Sequence, residues 1–219
     1  SMIILGAGNF ARKEFVKGIL FLLCEVVFIF QMIASGCGAL SMLTSLGTNA
    51  TGEVFNEKTQ VYEYVQGDNS MLILLYGVIT IFVIMGFVVI WRANMKSAYK
   101  AQLKKERNEH IPTFKEEMAA YLDSQVHRTL LFLPVMSLMI FTIMPLVYMA
   151  TMAFTNYDRD HQPPGNLFHW IGLTNFSQVL DFSGELGRTF WSVLGWTVVW
   201  AFFATFLNYF FSMIVALVI

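Results

Sequence analysis

Met71-Leu72-Ile73-Leu74-Leu75-Tyr76-Gly77-Val78-Ile79-Thr80-Ile81-Phe82-Val83-Ile84-Met85-Gly86-Phe87-Val88-Val89-Ile90-Trp91 runs for twenty-one residues without a charge. A helix needs about 20 apolar residues to cross the hydrocarbon of a bilayer. Lipid offers no partner to a free backbone N–H or C=O, so such a run must satisfy its own polar groups in a helical ladder. Three further blocks obey the same rule: Gly18–Met42, Leu130–Phe154 and Thr189–Ile219. The last two are also free of charge. The first holds Glu25 and Gln31, so it is the least lipid-like and is expected to face other helices. The fold class expected is an all-α integral membrane protein with four transmembrane helices.

The basic residues orient it. Arg12, Lys13 and Lys17 precede the first block, and Arg92, Lys96, Lys100, Lys104, Lys105, Arg107, Lys115 and Arg128 lie between the second and third. The alternate stretches hold only Lys58, Arg159 and Arg188. Cytoplasmic loops keep Lys and Arg, so the N-terminus is expected inside. The organisation that follows is a cytoplasmic segment 1–17 and a helical pair 18–91 with an external loop 43–70. A cytoplasmic connector 92–129 comes next, then a region 130–219 with an external loop 155–188.

Composition agrees. Charged residues make up 13% of the chain, against about 25% in a soluble domain. A net charge of −1 gives no electrostatic case for nucleic acid. Cys24 and Cys37 stand thirteen helical residues apart, roughly 20 Å and beyond disulfide reach. They are expected to be free thiols. The fourth block stops at Ile219 with no polar flank, where basic anchors are expected, so the sequence reads as the start of a longer chain.

Between the blocks the signals are local. Gln60-Val61-Tyr62-Glu63-Tyr64-Val65 alternates like one arm of a small hairpin. Lys96, Lys100 and Lys104 share one helical face. That stripe reads as a solvated helix end obeying the positive-inside rule, in preference to a headgroup contact. Pro112 breaks the segment, and a short helix is expected through Glu116-Glu117-Met118-Ala119-Ala120-Tyr121. Pro134 and Pro145 are expected to kink the third helix, and Pro163-Pro164-Gly165 to force an irregular turn. There is no internal repeat.

Several motifs tempt. Gly6-Ala7-Gly8-Asn9-Phe10-Ala11 fits a dinucleotide-binding pattern, but a strand, a tight turn and a second strand ending in an acid are all required. Here a membrane block follows, so a flexible glycine lead-in is expected and no cofactor. Ala34-Ser35-Gly36-Cys37 resembles a lipoprotein cleavage site, but the apolar run is long and continues past it. Asn49-Ala50-Thr51 and Asn175-Phe176-Ser177 fit the glycosylation pattern. His161 and His169 share a loop without the third ligand a catalytic metal needs, so no metal is expected. No catalytic constellation appears. Glu25 is either a proton or ion site or a structural polar contact between helices, and the contact is favoured.

The most specific stretch is Phe154-Thr155-Asn156-Tyr157-Asp158, followed by Asn166-Leu167-Phe168-His169-Trp170-Ile171-Gly172-Leu173-Thr174-Asn175-Phe176 and then Arg188-Thr189-Phe190-Trp191. It resembles the first permease subunit of carbohydrate ABC importers of the maltose/maltodextrin type. The front half, with a loop ending Gly67-Asp68-Asn69-Ser70-Met71, resembles the Gram-positive maltodextrin permeases. The resemblance implies a transport subunit in a bacterial plasma membrane, with no chemistry of its own. The implied partners are a second permease subunit, a cytoplasmic ATPase dimer and an extracellular sugar-binding protein. It also implies that the coupling loop and the substrate-binding residues lie beyond Ile219. Asp158, Arg159, Asp160 and Trp170 are the expected binding-protein contacts. The alternative is a small four-helix membrane scaffold or a membrane-embedded enzyme. The enzyme would need ionisable groups converging at one membrane depth, which the last three helices lack.

Overall fold

The computed structural model describes residues 3–57, 60–163 and 165–218. Lys58, Pro164 and Ile219 therefore lie outside the described residues. The elements, in chain order, are α1 (Ala7–Phe10), α2 (Phe15–Leu43), β1 (Gly52–Asn56), β2 (Val61–Val65), α3 (Ser70–Glu106), α4 (Phe114–Leu122), α5 (Val126–Met152), α6 (Thr174–Leu180) and α7 (Glu185–Val218). Helices α2, α3, α5 and α7 are each long and apolar enough to cross a membrane.

Burial identifies the solvent. Only seven apolar residues are buried among the described ones: Leu5, Leu46, Leu74, Val78, Ala98, Ala101 and Phe168. Phe141, Met149, Trp196, Trp200 and Phe211 are all exposed by 60% or more. In water each square ångström of such surface costs about 25 cal/mol. Against lipid tails that cost vanishes, so these helices belong in a bilayer.

The chain divides into two compact units, Ser1–Met152 with Tyr157–His169, and Ala153–Asn156 with Trp170–Ile219. Within the first unit α5 packs against α3.

In the first unit α2 and α3 pack together. Phe28 stacks on Phe87 at 3.9 Å. A Cβ on Gly77 would strike the side chain of Leu43, so a small residue there lets the helices approach, as lipid-embedded packing requires. At the outer end, β1 and β2 pair antiparallel, with Phe55 opposite Tyr62. Asn69 caps α3, its side chain accepting from the N–H groups of Met71 and Leu72.

Helix boundaries outrun the apolar blocks. α3 continues past Trp91 to Glu106, because Lys, Ala, Gln and Glu are strong helix formers and long cations keep their heads in water. Thr113 and Glu116 form a reciprocal capping box at the start of α4. α5 keeps both prolines but widens into a π turn at Met139–Ile143, just before Pro145. Proline removes one ladder donor, and a π turn is a recognised accommodation. A second π turn, Met32–Gly36, interrupts α2 and leads directly into the helix carrying Cys37. The lipoprotein-like stretch is thus a helix interior.

The N-terminal glycines are a correction. Gly6 adopts φ 81° and precedes α1, and a Cβ there would strike the backbone of Gly18. Leu5 and Asn9 are buried. The expected flexible lead-in is a packed hook, because a left-handed turn that only glycine adopts freely folds 3–14 back along α2.

Candidate functional site

The first unit carries two polar clusters outside the apolar packing. The inner one is built by the hook. Leu5 donates its N–H to Glu25 Oε2 at 2.8 Å, and Gly6 donates to Asn94 Oδ1 at 3.3 Å. Arg12 donates to the Gly8 carbonyl at 2.7 Å and to Gln102 Oε1 at 3.2 Å. Lys17, 7% exposed, bridges Glu14 at 3.1 Å and Glu117 at 2.6 Å, tying the start of α2 to α4. Asn94, Gln102 and Glu117 carry no sequence signal beyond being polar at the edge of an apolar run, so sequence reasoning missed them.

The outer cluster contains the expected docking residues 158–160, all exposed. Asp158 Oδ1 accepts from the N–H groups of Asp160 and His161, both at 2.9 Å, and pairs with His161 Nδ1 at 2.7 Å. The His161 ring, then the two amides, hold the Asp158 carboxyl below its usual range. Asn166 Nδ2 donates to the Asp160 carbonyl at 2.7 Å. Phe168 is fully buried against Tyr157, and its N–H donates to Ser70 Oγ at 3.3 Å. The loop is thus anchored to the start of α3, with Arg159 at its exposed tip. Further along the same outer end, the N–H groups of Asn49 and Thr48 bond to Asp68 Oδ2 at 3.0 and 2.9 Å and lower its pKa.

The second unit holds Trp170, half-buried and paired as a bridge with Thr155. Ile171 N–H donates to the Phe154 carbonyl at 2.9 Å, and Phe154 meets Phe176 at 5.1 Å between ring centres. Asn175 Nδ2 donates to the carbonyls of Ala153 and Thr155, at 2.9 and 2.8 Å. The Asn175 side chain therefore ties the end of α5 to the start of α6. Trp191 Nε1 reaches the Val179 carbonyl at 3.0 Å, and its ring stacks on Phe182.

These elements define a multi-pass helical membrane protein. Nearly the whole chain is similar to sugar-transport permeases. It is 32% identical over 216 residues to the maltodextrin transport system permease protein MdxF of Bacillus subtilis, which is 98% of this chain and 46% of MdxF. It is 30% identical over 207 residues to the maltodextrin permease MalC of Streptococcus pneumoniae, 94% of this chain and 44% of MalC. It is 27% identical over 219 residues to the galactooligosaccharides transport system permease protein GanP of B. subtilis, 99% of this chain and 48% of GanP. The chain is thus similar over nearly its whole length to these oligosaccharide transport permeases. It spans about half the length of the curated relatives it matches. No family model and no solved structure matches it.

Proposed function

We propose that this chain forms a membrane-spanning part of the permease subunit of an ATP-driven importer for maltodextrin-like oligosaccharides. The observation that carries the reading is the 32% identity to MdxF over 98% of the chain. Four membrane-capable helices support it. The subunit would perform no chemistry. It would form part of a path opened by partners: a second permease subunit, a cytoplasmic ATPase dimer and an extracellular sugar-binding protein. In this reading the N-terminus and α4 face the cytoplasm, and residues 158–160 with Trp170 face the binding protein. Glu25 serves as an acceptor that holds the hook. The similarity to GanP makes galactooligosaccharides the second substrate to test.

The test replaces the matched part of MdxF with this chain, in a Bacillus strain lacking MdxF. Radiolabelled maltodextrin uptake is expected to return. A chimera that inserts in the membrane yet takes up neither maltodextrin nor galactooligosaccharide would overturn the proposal.

A further inference from the structure

A cleft of about 490 Å³ opens between the hook, the start of α2 and the start of α4. Its size falls within the roughly 300–1,000 Å³ typical of small-ligand sites. Arg12, Lys13, Lys17 and Lys115 line it, with Glu14 as the only carboxylate. Glu14 is already paired with Lys17. Arg12 bonds only to an uncharged carbonyl and an amide, and its Nε is buried without a partner. Among the described residues no carboxylate lies within ion-pair distance of Arg12, Lys13 or Lys115. The cleft therefore carries uncompensated positive charge.

Its position decides what it would hold. Apart from Thr113, the remaining wall is apolar and includes Phe15, Val16 and Phe114. Phe15 and Val16 begin the first membrane-capable helix and are 58% and 50% exposed. Cations are thus gathered at the level where a helix leaves the hydrocarbon, beside apolar side chains open to lipid. Lys13 holds φ 64°, a left-handed conformation that a side chain adopts only when its surroundings impose it. That residue makes the reversal joining α1 to α2 and so shapes the cleft.

We propose that this cleft binds the headgroup of an anionic phospholipid. The phosphate meets Arg12, Lys13 and Lys115, and the acyl chains run along Phe15 and Val16 into the bilayer. Basic pockets beside membrane helices recognise anionic headgroups in this way. A free phosphate would leave the apolar wall unused. Lys96, Lys105 and Arg107 do not line it, whereas Lys100 and Lys104 line an adjoining cavity that shares Glu14, Lys17, Ile111 and Pro112.

Native mass spectrometry of the purified full chain, titrated with phosphatidylglycerol or phosphatidylcholine, tests it. One phosphatidylglycerol should be retained, with phosphatidylcholine held at least tenfold more weakly. Arg12→Gln/Lys13→Gln/Lys115→Gln should lower phosphatidylglycerol occupancy at least fivefold. Lys96→Gln/Lys105→Gln/Arg107→Gln removes the same charge outside the cleft and should leave occupancy unchanged. The double variant Lys13→Gln/Lys115→Gln spares the bonds of Arg12. It should still lose at least half of the bound lipid if the triple variant fails to fold. Equal loss in the inside and outside triple variants would overturn the proposal, as would displacement of the lipid by millimolar inorganic phosphate.

Discussion

Leu5 donates its backbone N–H to Glu25 Oε2 at 2.8 Å, across twenty residues of sequence. An acid in the first apolar block is thus the acceptor for a hook that folds back along the same helix. Beside it, Gly6 N–H reaches Asn94 Oδ1 on α3. The two side chains replace water for backbone groups that would otherwise be buried unpaired, each at a cost of about 1–3 kcal/mol.

Glu25→Leu is therefore expected to release the hook. Trypsin cleavage after Arg12 or Lys13 should accelerate several-fold in detergent, and stability should fall by about 1–3 kcal/mol. Glu25→Gln keeps an acceptor oxygen and should stay close to wild type. If Glu25→Gln loosened the hook as much as Glu25→Leu, the charge rather than the acceptor would be what matters.

A second expectation separates packing from helix propensity. Gly6 combines φ 81° with backbone contact to Gly18, so Gly6→Ala should expose the hook to protease much as Glu25→Leu does. Gly86 lies inside α3 with open space where a Cβ would stand. Gly86→Ala should be neutral or stabilise by about 0.5–1 kcal/mol. Thermal unfolding of the two variants checks the contrast.

The four spans, the hairpin arm at 61–65 and the helix after Pro112 were legible because each rests on local pattern: apolar length, period-2 alternation, proline and a cap. The hook was not. Gly6, Glu25 and Asn94 meet only after α2 and α3 pack, and nothing in their spacing along the chain announces it. The π turns were equally hidden: the two prolines of α5 indicate a disturbed ladder but not how it recovers, and α2 has no proline to announce its own. At the outer face, Phe154-Thr155-Asn156 and the segment after Asn166 were legible as a resemblance. The donor role of Asn175 needed coordinates, and the glycosylation pattern even pointed away from it.

Acid should loosen the outer end of the first unit through Asp68. The N–H groups of Asn49 and Thr48 depress its folded-state pKa below the ordinary 3.8. A depressed carboxylate contributes stability that is present above the unfolded-state pKa and is lost as pH falls through the folded value. Protection of the Thr48 and Asn49 amides, taken against the intrinsic exchange rate at each pH, should thus hold from neutral pH to near 4 and fall only below it. Asp68→Asn should flatten that dependence. Unchanged acid-induced exchange in Asp68→Asn would assign the effect to another group.

Sidedness can be read with an impermeant thiol reagent. In a Cys24→Ser/Cys37→Ser background, Lys105→Cys should label only after cells are opened. Glu63→Cys, on the exposed face of β2, should label in intact cells. The reverse pattern would invert the orientation deduced from the basic residues.

The last expectation concerns the outer loop as a docking surface for a sugar-binding protein. Asp158 is a poor probe, because its carboxylate holds the loop together through three hydrogen bonds. Its replacement would confuse folding with contact. Arg159 is exposed, and Asp160 uses its backbone carbonyl, not its carboxylate, to anchor Asn166. Arg159→Glu and Asp160→Lys therefore reverse surface charge while leaving the anchors in place. Rim charges act mainly on association rate, and their effect fades with salt. Each reversal, placed in the transport-competent chimera, should lower binding-protein-dependent maltodextrin uptake by several-fold at low ionic strength, and less at high. Trp170→Ala should lower uptake at both, because an aromatic contact is not screened. Full uptake in all three variants, with normal membrane insertion, would remove these residues from the docking surface and leave the remainder of the transport reading intact.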